Sequence, residues 1–309
     1  MRVAILGAGA IGSALAGALS KSATVTLIGH ENDHLRALQR GSLQIEYPDE
    51  PAHSRAIEVD TDPSAVAGTD LLILAVKSYD TDTAMAAVQP FLDGVDVLTL
   101  QNGLGNIETI REAVGENRVI AGTTTMAAFV PEPGRVRLES RGQIRIGRPW
   151  GGNEGFVTVT ATFREAGFDI QIESDIRTAI WEKVLVNVGI NPVTALGRVP
   201  NGHLRSGPGR ELLEAAIEEA ARVAAAEGYR VSNPVEQAVQ VVEDTATNRS
   251  SMLQDLKRGT RTEIDSLNGA IVDRAEEHNI PVPVNRTLAA AIRLASSRAE
   301  THPSNGSRE

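Results

Sequence analysis

The chain has 309 residues, 41% of them hydrophobic and 23% charged, which suits a globular protein of two domains. Its net charge of −10, without a long run of Lys or Arg, argues against nucleic acid or an anionic membrane as a partner. It contains no cysteine, which excludes disulfides, thiolate metal ligands and a thiol nucleophile.

The first half of the chain alternates short apolar runs with amphipathic ones. The apolar runs predict strands at 2–6, 24–28, 70–76, 96–100 and 118–122. The runs between them predict helices near 10–20, 32–40, 80–90 and 105–115. Short, almost wholly apolar strands separated by helices are typical of a parallel sheet that is covered on both faces. This half is therefore predicted to be an α/β domain.

The pattern changes after the last of these strands. Between 125 and 147, short extended runs with Pro and Gly turns predict an antiparallel appendage. A helix near 154–166 and a strand in "FDIQIES" then complete the first half.

From Asp175 onward the sequence predicts helices only. Apolar residues recur at three- and four-residue steps, most clearly in 209–229 and 262–280. We therefore expect an α/β domain at 1–174, an all-helical domain at 175–300 and a flexible tail at 301–309. The Ala-rich run "LLEAAIEEAARVAAA" suits packing within its own domain or against a second subunit, so a homodimer stays an open alternative.

The opening "ILGAGAIG" places Gly7-x-Gly9-x-x-Gly12 directly after a strand and at the start of a helix. Gly7 permits a tight turn, Gly9 lets the backbone approach a pyrophosphate, and Gly12 lets helix and strand pack closely. The N-terminus of the helix then offers N–H groups and a positive dipole end to the phosphates. This context predicts a Rossmann-type dinucleotide site; the alternative is a glycine-rich turn without a ligand.

The same glycines make an export segment at the start of the chain unexpected. No stretch reaches the roughly 20 apolar residues of a membrane span. We therefore expect a cytoplasmic protein.

The choice between NAD and NADP depends on the end of the second strand. An acidic residue there binds the ribose hydroxyls of NAD, whereas a cation suits the 2′-phosphate of NADP. The strand ends in "LIGH", with His30 at its tip and Glu31 beyond it. The missing acid favours NADP(H), although His30 is also compatible with an ordinary surface position.

A polar stripe interrupts the apolar segment "WEKVLVNVGINP". Lys183, Asn187 and Asn191 follow one another at four-residue steps, so a helix places them on one face. Pro192 is expected to end or kink this helix. The stripe is compatible with a solvent-exposed face and with a binding or catalytic face.

Three further polar positions each have two interpretations. Glu263 matches a capping box with Thr260, or is a functional carboxylate. Asn102 follows a strand at the edge where ligands bind in open parallel sheets, or belongs to an Asn-Gly turn. Lys77 ends a strand in the same way, or extends to solvent.

Taken together, these segments resemble the ketopantoate reductase (2-dehydropantoate 2-reductase) family over roughly residues 1–295. The resemblance is carried by "GAGAIG", "AVKSYDT", "QNGLGN", "AGTTTMAA", "WEKVLVNVGINPVTAL", "PNGHLR" and, most specifically, "SSMLQDLKRGTRTEIDSLNG". One departure is that many family members carry Arg where this chain has His30, which affects the expected preference for NADPH.

The resemblance implies roles for individual residues. Lys183 is expected to be the general acid and Glu263 its carboxylate partner. Substrate-binding groups are expected at Asn187, Asn191, Asn201 and Ser251. The cofactor is expected to contact Gly7, Ala8, Gly9, Ala10, Ile11, Gly12, His30, Lys77, Asn102 and the backbone around Ala128.

The implied activity is the NADPH-dependent reduction of 2-dehydropantoate to (R)-pantoate, a step of pantothenate and coenzyme A biosynthesis, in a cleft between the domains and without a metal. Hydride transfer to a ketone builds negative charge on its oxygen, which Lys183 would neutralise. The alternatives are a related reductase of another 2-oxo acid and a non-catalytic NADP-sensing regulator. A ketol-acid reductoisomerase is disfavoured because no carboxylate group suited to paired Mg²⁺ is evident.

Overall fold

The computed structural model describes residues 1–48, 50–152 and 155–301. The chain divides into two compact units, the first made of Met1–Gln101 with Gly105–Ala179 and the second of Asn102–Leu104 with Ile180–Glu309. The predicted tail at 301–309 lies outside the described residues, apart from Thr301, with which the last helix ends.

The described strands belong to the first unit and form two sheets. They are β1 (Arg2–Leu6), β2 (Thr24–Ile28), β3 (Leu43–Tyr47), β4 (Glu50–Arg55), β5 (Glu58–Asp60), β6 (Leu71–Leu74), β7 (Asp96–Thr99), β8 (Val119–Thr124), β9 (Ala127–Phe129), β10 (Arg135–Ser140), β11 (Gln143–Gly147) and β12 (Asp169–Ile172). The helices among them are α1 (Ala10–Leu19), α2 (Asp33–Arg40), α3 (Thr81–Val88), α4 (Asn106–Val114) and α5 (Phe156–Glu165).

The larger sheet has eight strands in the order β12-β11-β8-β7-β6-β1-β2-β5. Its pairs are parallel, except that β11 runs antiparallel to β8. In register, Ile5 of β1 lies between Leu27 of β2 and Ile73 of β6, and all three side chains are fully buried. The predicted α/β class with a parallel sheet is confirmed. The strand order reverses at β1 and β6, whose carboxyl ends therefore flank the crevice where such sheets bind ligands.

The smaller sheet, in the order β4-β3-β10-β9, corrects the expected appendage at 125–147. Within that span β10 is antiparallel to β9 but parallel to β3, and β11 belongs to the larger sheet. The hairpin of β3 and β4 was missed, because Pro48, Pro51 and the charged residues around them favour a turn over a strand. Strand β4 lies at the edge of the sheet, where a proline costs no ladder hydrogen bond.

Helix α1 packs against both sheets, which explains its small residues. It contacts β1 and β2 of the larger sheet and β3, β9 and β10 of the smaller one. Residues Gly12 to Leu19 are all buried. A Cβ on Gly17 would lie 2.9 Å from Cδ2 of Leu43, so this face of the helix has no room for a larger residue. The sequence of α1 therefore combines a ligand loop at its start with a tightly packed body.

The second unit is helical throughout its described residues. Its helices are α6 (Ile176–Gly197), which starts in the first unit, α7 (Gly207–Ala226), α8 (Pro234–Asp244), α9 (Ser251–Arg258), α10 (Ala270–Glu277) and α11 (Pro283–Thr301). A π-helical turn, Asp265–Gly269, precedes α10. The predicted helix at 262–280 thus starts later than expected and with a wider turn. The all-helical class is confirmed, and no helix of the described residues is long and apolar enough to cross a membrane.

Pro192 does not end α6, which continues to Gly197. A proline inside a helix leaves the carbonyl four residues earlier without its N–H donor. That carbonyl, on Val188, accepts a hydrogen bond of 3.0 Å from Nδ2 of Asn268 instead. The replacement donor removes the cost of a buried, unsatisfied carbonyl, so the helix continues through the proline.

Candidate active site

The glycine loop between β1 and α1 has the geometry of a phosphate cradle. Gly7 has a φ of +120°, and a Cβ there would lie 2.5 Å from the backbone carbon of Ala75. A Cβ on Gly12 would collide with the carbonyl oxygen of Gly7. Both positions therefore need glycine for the fold itself.

Gly9 has a different reason to be glycine. A Cβ at this position would meet no atom within 4 Å, and its φ of −84° is one that any residue adopts. Packing inside the unit thus does not require glycine here, whereas close approach of a pyrophosphate does. Gly9 is exposed, and its neighbours Ala8, Ala10 and Ile11 are half-buried. The residues present fit a dinucleotide bound at the N-terminus of α1.

Other predicted cofactor residues follow strands of the same sheet. Gly7, His30 and Lys77 come after the carboxyl ends of β1, β2 and β6, which are parallel neighbours. The sheet therefore places these positions at one edge, with the strand-order reversal between β1 and β6. His30 is exposed and Lys77 is half-buried.

The start of α2, just beyond His30, holds a small ion-pair cluster. Arg36 contacts Glu31 at 3.1 Å and Asp33 at 2.8 Å, and these two carboxylates hold the pKa of Arg36 above its ordinary value. Both acids that follow the tip of β2 are thus partly neutralised by a neighbouring cation.

Ala128 lies apart from the strands of the larger sheet. It is in β9 of the smaller sheet, where it pairs with Leu138 of β10. Its half-buried side chain packs against the main core of the first unit. Its backbone contribution to a cofactor site remains an expectation.

The polar stripe is on α6, and none of its members is solvent-exposed. Asn191 is buried, and Lys183 and Asn187 are half-buried, while Val184, Leu185 and Val188 belong to the helical core. The interpretation as an exposed face is therefore wrong. Within the described part of the chain, no residue forms a hydrogen bond or ion pair with the side chain of any of the three. One face of α6 thus presents two amides without a hydrogen-bond partner among the described residues, and an amine that interacts electrostatically with Glu263.

Burial among these neighbours controls the charge of Lys183. Removal from water lowers the pKa of its amine to about 8, and the nearby Glu263 carboxylate acts in the opposite direction. Of these two effects on the pKa, burial is the larger. An amine with a pKa in this range both holds and releases a proton near neutral pH, as a general acid requires.

Glu263 is a buried carboxylate before the π-helical turn, not a helix cap. Residues 261–263 are not helical, and the hydroxyl of Thr260 donates to the carbonyl of Asp255, so the capping box does not form. Oε2 of Glu263 accepts a hydrogen bond of 3.3 Å from Nδ2 of Asn102.

The contact between Asn102 and Glu263 was not foreseen, because Asn102 was assigned to the cofactor only. The residues around Asn102 belong to the second unit: the N–H of Leu104 donates to the carbonyl of Ser266 at 2.9 Å. The sequence gives no local signal for a bond between residues so distant in the chain.

The two remaining predicted substrate residues differ in their surroundings. Asn201 is buried; its Nδ2 donates to Oγ1 of Thr245 at 2.9 Å, while its Oδ1 has no partner in the described residues. Ser251 is exposed in the first turn of α9. Both therefore have polar groups that internal bonding does not use.

Ser250 was missed by the sequence reasoning. It caps α9 by accepting from the N–H of Leu253, and its hydroxyl lies 2.7 Å from Oγ1 of Thr194 on α6. The signal was present, since a serine three residues before an apolar residue at a helix start is a typical N-cap.

In the described part of the chain, no group of three or more His, Asp or Glu side chains could hold a metal ion. The described polar groups of the second unit that the sequence predicted for the site are one amine, one carboxylate, and neutral amides and hydroxyls.

Comparison with known proteins relates both units to one family. A family model described as ketopantoate reductase PanE/ApbA matches residues 3–150, and one described as ketopantoate reductase PanE/ApbA C terminal matches residues 175–296. A 2-dehydropantoate 2-reductase of Halobacterium salinarum is 48% identical over 96% of this chain and 99% of its own length. Another from Pyrococcus horikoshii is 38% identical over 96% of this chain and 98% of its own.

A solved structure agrees in fold. The PanE/ApbA family ketopantoate reductase of Ralstonia eutropha JMP134 superposes with a TM-score of 0.89 at 35% identity, covering 97% of this chain and 100% of that one. Similarity of this extent covers the glycine loop, the α6 stripe and the segment around Glu263 together. The chain therefore belongs to the ketopantoate reductase PanE/ApbA family.

Proposed function

We propose that this protein reduces the ketone of 2-dehydropantoate to the alcohol of (R)-pantoate with NADPH, a step of pantothenate and coenzyme A biosynthesis. The observation that carries the proposal is the α6 face, where Asn191 is buried, Lys183 and Asn187 are half-buried, and none of the three side chains has a hydrogen-bond partner among the described residues. A non-catalytic NADP sensor would have no use for such a set, since buried polar groups without partners cost stability.

Lys183 is the proposed general acid. When bound, NADPH would supply the hydride for the ketone carbon, and negative charge would then develop on the ketone oxygen. The ammonium of Lys183 stabilises this charge and transfers one proton to the oxygen, which completes the alcohol. The lowered pKa of Lys183 makes this transfer easier than from an ordinary lysine.

Glu263 is proposed to keep Lys183 ready for this step. Its carboxylate raises the pKa of the amine against the effect of burial, so that a larger fraction stays protonated near neutral pH. Asn102 binds Oε2 of the carboxylate and orients it.

The neutral polar groups are proposed to hold the substrate. Ketopantoate carries a ketone, a carboxylate and a hydroxyl, and amides and hydroxyls donate to or accept from all three. We assign this role to Asn187, Asn191, Asn201 and Ser251. The buried Oδ1 of Asn201, which has no described partner, is an acceptor suited to the substrate hydroxyl.

The first unit is proposed to bind NADP(H). Gly7 to Gly12 would hold the pyrophosphate, with Lys77 and the backbone of Ala128 toward the nicotinamide and His30 toward the 2′-phosphate. Asn102, which the resemblance groups with these residues, belongs to the second unit. The absence of an acid at the tip of β2, together with the pairing of Glu31 and Asp33 to Arg36, supports NADP(H) over NAD(H).

The proposal is tested by following the oxidation of NADPH by absorbance, with ketopantoate and with other 2-oxo acids as substrates. We expect the highest kcat/KM for ketopantoate. A higher value for another 2-oxo acid would assign the enzyme to that substrate, and no oxidation with any of them would leave the sensor as the better description.

We further propose that the protein is located in the cytoplasm. We also propose that two copies of the chain associate. Leu196 and Leu212 are exposed and line one apolar depression of the second unit, together with Val193 and Leu204. Contiguous exposed apolar surface is typical of protein interfaces. Light scattering after size-exclusion chromatography should give a dimer mass that Leu212→Lys converts to a monomer; a monomer mass for the unchanged protein would refute the association.

A further inference from the structure

Asn268 is a fully buried residue whose side chain links two segments of the proposed catalytic machinery. Its Nδ2 donates one hydrogen bond to the carbonyl of Val188 on α6, at 3.0 Å. Helix α6 carries Lys183. Asn268 itself lies on the π-helical turn Asp265–Gly269, which begins two residues after Glu263.

The acceptor on α6 exists because of Pro192. An ordinary residue at position 192 would donate its N–H to the carbonyl of Val188, and proline cannot. The proline therefore opens one acceptor in the middle of a buried helix, and Asn268 occupies it. A π-helical turn carries one extra residue per turn and shifts the side chains that follow, which is a feature often found at functional sites.

The orientation of the Asn268 amide is fixed by a second layer of bonds. Its Nδ2 also donates to Oδ1 of Asn285 at 3.0 Å, and Nδ2 of Asn285 donates to Ala216 and Glu219, both at 2.9 Å. The Glu219 carboxylate in turn accepts from the N–H groups of Val284 and Asn285 at the start of α11. The Nδ2 of Asn268 donates to two oxygen atoms that only accept, so its amide cannot be reversed without breaking both bonds.

The same turn also holds the partner of Glu263. The carbonyl of Ser266 accepts from the N–H of Leu104, and a Cβ on Gly103 would lie 2.5 Å from that carbonyl oxygen. Asn102, directly before Gly103, donates to Glu263. The turn therefore fixes Glu263 on one side and, through Asn268, α6 on the other.

We propose that Asn268 is a positioning residue that sets the separation between the Lys183 ammonium and the Glu263 carboxylate. It touches neither group. The relevance of this residue to catalysis rests on the proposed reductase activity. The separation between Lys183 and Glu263 can be tested without that activity, because both residues belong to the second unit.

The test measures the titration of Lys183 directly. The chain has four lysines, Lys21, Lys77, Lys183 and Lys257, so protein labelled with ¹³C at the lysine side chains gives a simple NMR spectrum in which Lys183→Arg identifies the signal. Glu263 is the charged group that raises the pKa of Lys183 among the described residues. Asn268→Ala should let the Glu263 carboxylate move about 1–2 Å away from the Lys183 amine. The midpoint of the Lys183 titration should then fall by roughly half a pH unit.

A double variant separates positioning from mere stabilisation. In Asn268→Ala/Pro192→Ala, the new N–H of residue 192 satisfies the Val188 carbonyl, so stability should recover in part and the protein remains measurable if Asn268→Ala folds poorly. The midpoint pH of the Lys183 titration should nevertheless stay below its wild-type value, because the hydrogen bond from residue 268 to α6 is still missing. Val242→Ala, in the same core but outside this network, is the control for general destabilisation and should leave the titration unchanged.

Two results would overturn the inference: an unchanged Lys183 titration in Asn268→Ala, or its return to the wild-type value in the double variant. The readout needs no substrate. A wild-type protein that fails to reduce ketopantoate but shows the lowered titration in both Asn268 variants would therefore refute the proposed function and support the positioning role.

Discussion

Lys183 is the residue on which the proposed chemistry depends most. General acid catalysis by a positioned side chain contributes typically about 10²–10⁴-fold to a rate. Lys183→Ala should therefore lower kcat by about this factor, while the dissociation constant of NADPH, measured by fluorescence titration, stays nearly unchanged. Lys257→Ala, at an exposed lysine in the last turn of α9, is the control and should retain full activity. Unchanged turnover in Lys183→Ala would remove this residue from its role.

The charge of Lys183 predicts the pH dependence of activity. The acid must be protonated, so kcat should fall as the pH rises through the pKa of Lys183, about 8. Glu263 raises that pKa, and Glu263→Gln should therefore shift the alkaline limb of the profile to lower pH. The profile of kcat between pH 6 and about 10 checks the shift.

Glu263 also allows a contrast between catalysis and folding. Glu263→Ala should lower kcat strongly and the melting temperature only slightly, because the carboxylate does not cap a helix. A variant that loses thermal stability but keeps its activity and its pH profile would contradict the catalytic assignment.

At the scale of elements, the glycine loop separates folding from cofactor binding. Gly12→Ala should lower the melting temperature strongly, since its Cβ collides with the Gly7 carbonyl, a rigid backbone atom. Gly9→Ala should leave stability unchanged or slightly higher, because the site is open and its backbone conformation suits alanine. The same Gly9→Ala should weaken NADPH binding by roughly tenfold or more, the equivalent of about 1.4 kcal/mol. Equal affinity in Gly9→Ala and wild type would place the pyrophosphate elsewhere.

His34 joins three elements of the first unit and predicts how its stability changes with pH. Its Nδ1 accepts from the N–H of Gly134, and its Nε2 lies 3.0 Å from Oγ of Ser13 on α1, so Nε2 carries the proton and the ring is neutral. Burial lowers the pKa of His34. A histidine that is neutral when folded stabilises the protein above its unfolded pKa of about 6.5, and this stability is lost as the pH falls through that value.

We therefore expect the melting temperature to fall as the pH is lowered below about 6.5, with a smaller fall in His34→Leu. That variant should be less stable than wild type at pH 8, because Ser13 and Gly134 lose their partner. Thermal unfolding of both proteins across this range checks the prediction. If the melting temperatures of the two proteins fall in parallel as the pH is lowered, a group other than His34 causes the loss of stability in acid.

At the scale of the whole molecule, cofactor preference combines several weak contributions. The tip of β2 has no acid, His30 is exposed there, and Arg36 pairs with both following acids. We expect kcat/KM to be higher with NADPH than with NADH, and His30→Asp to reduce or reverse the ratio, because an acid repels the 2′-phosphate and binds the ribose hydroxyls. Steady-state kinetics with both cofactors measure the ratio; equal efficiencies would reject the preference.

The residue sequence by itself determined the features that local pattern encodes. The strands β1 and β2 were predicted to the residue, since an apolar run bounded by polar residues defines a buried strand. The spacing of Lys183, Asn187 and Asn191 likewise predicts that they share one helix face. The prediction of a dinucleotide site at Gly7-x-Gly9-x-x-Gly12 rests on the glycine spacing together with its position between a strand and a helix. The role of that face did not follow from periodicity, because a polar stripe looks the same whether solvent or ligand covers it, and only resemblance to a known family favoured the second.

Only the tertiary structure decided which distant groups meet. The bond from Asn102 to Glu263, the small sheet that pairs β3 with β10, and the continuation of α6 through Pro192 all depend on residues far apart in the chain. Pro192 is the clearest case, since its local effect is to break a helix, and a donor from Asn268 reverses that effect. Local sequence sets what each segment prefers, whereas burial requires every polar group to find a partner wherever the fold brings one.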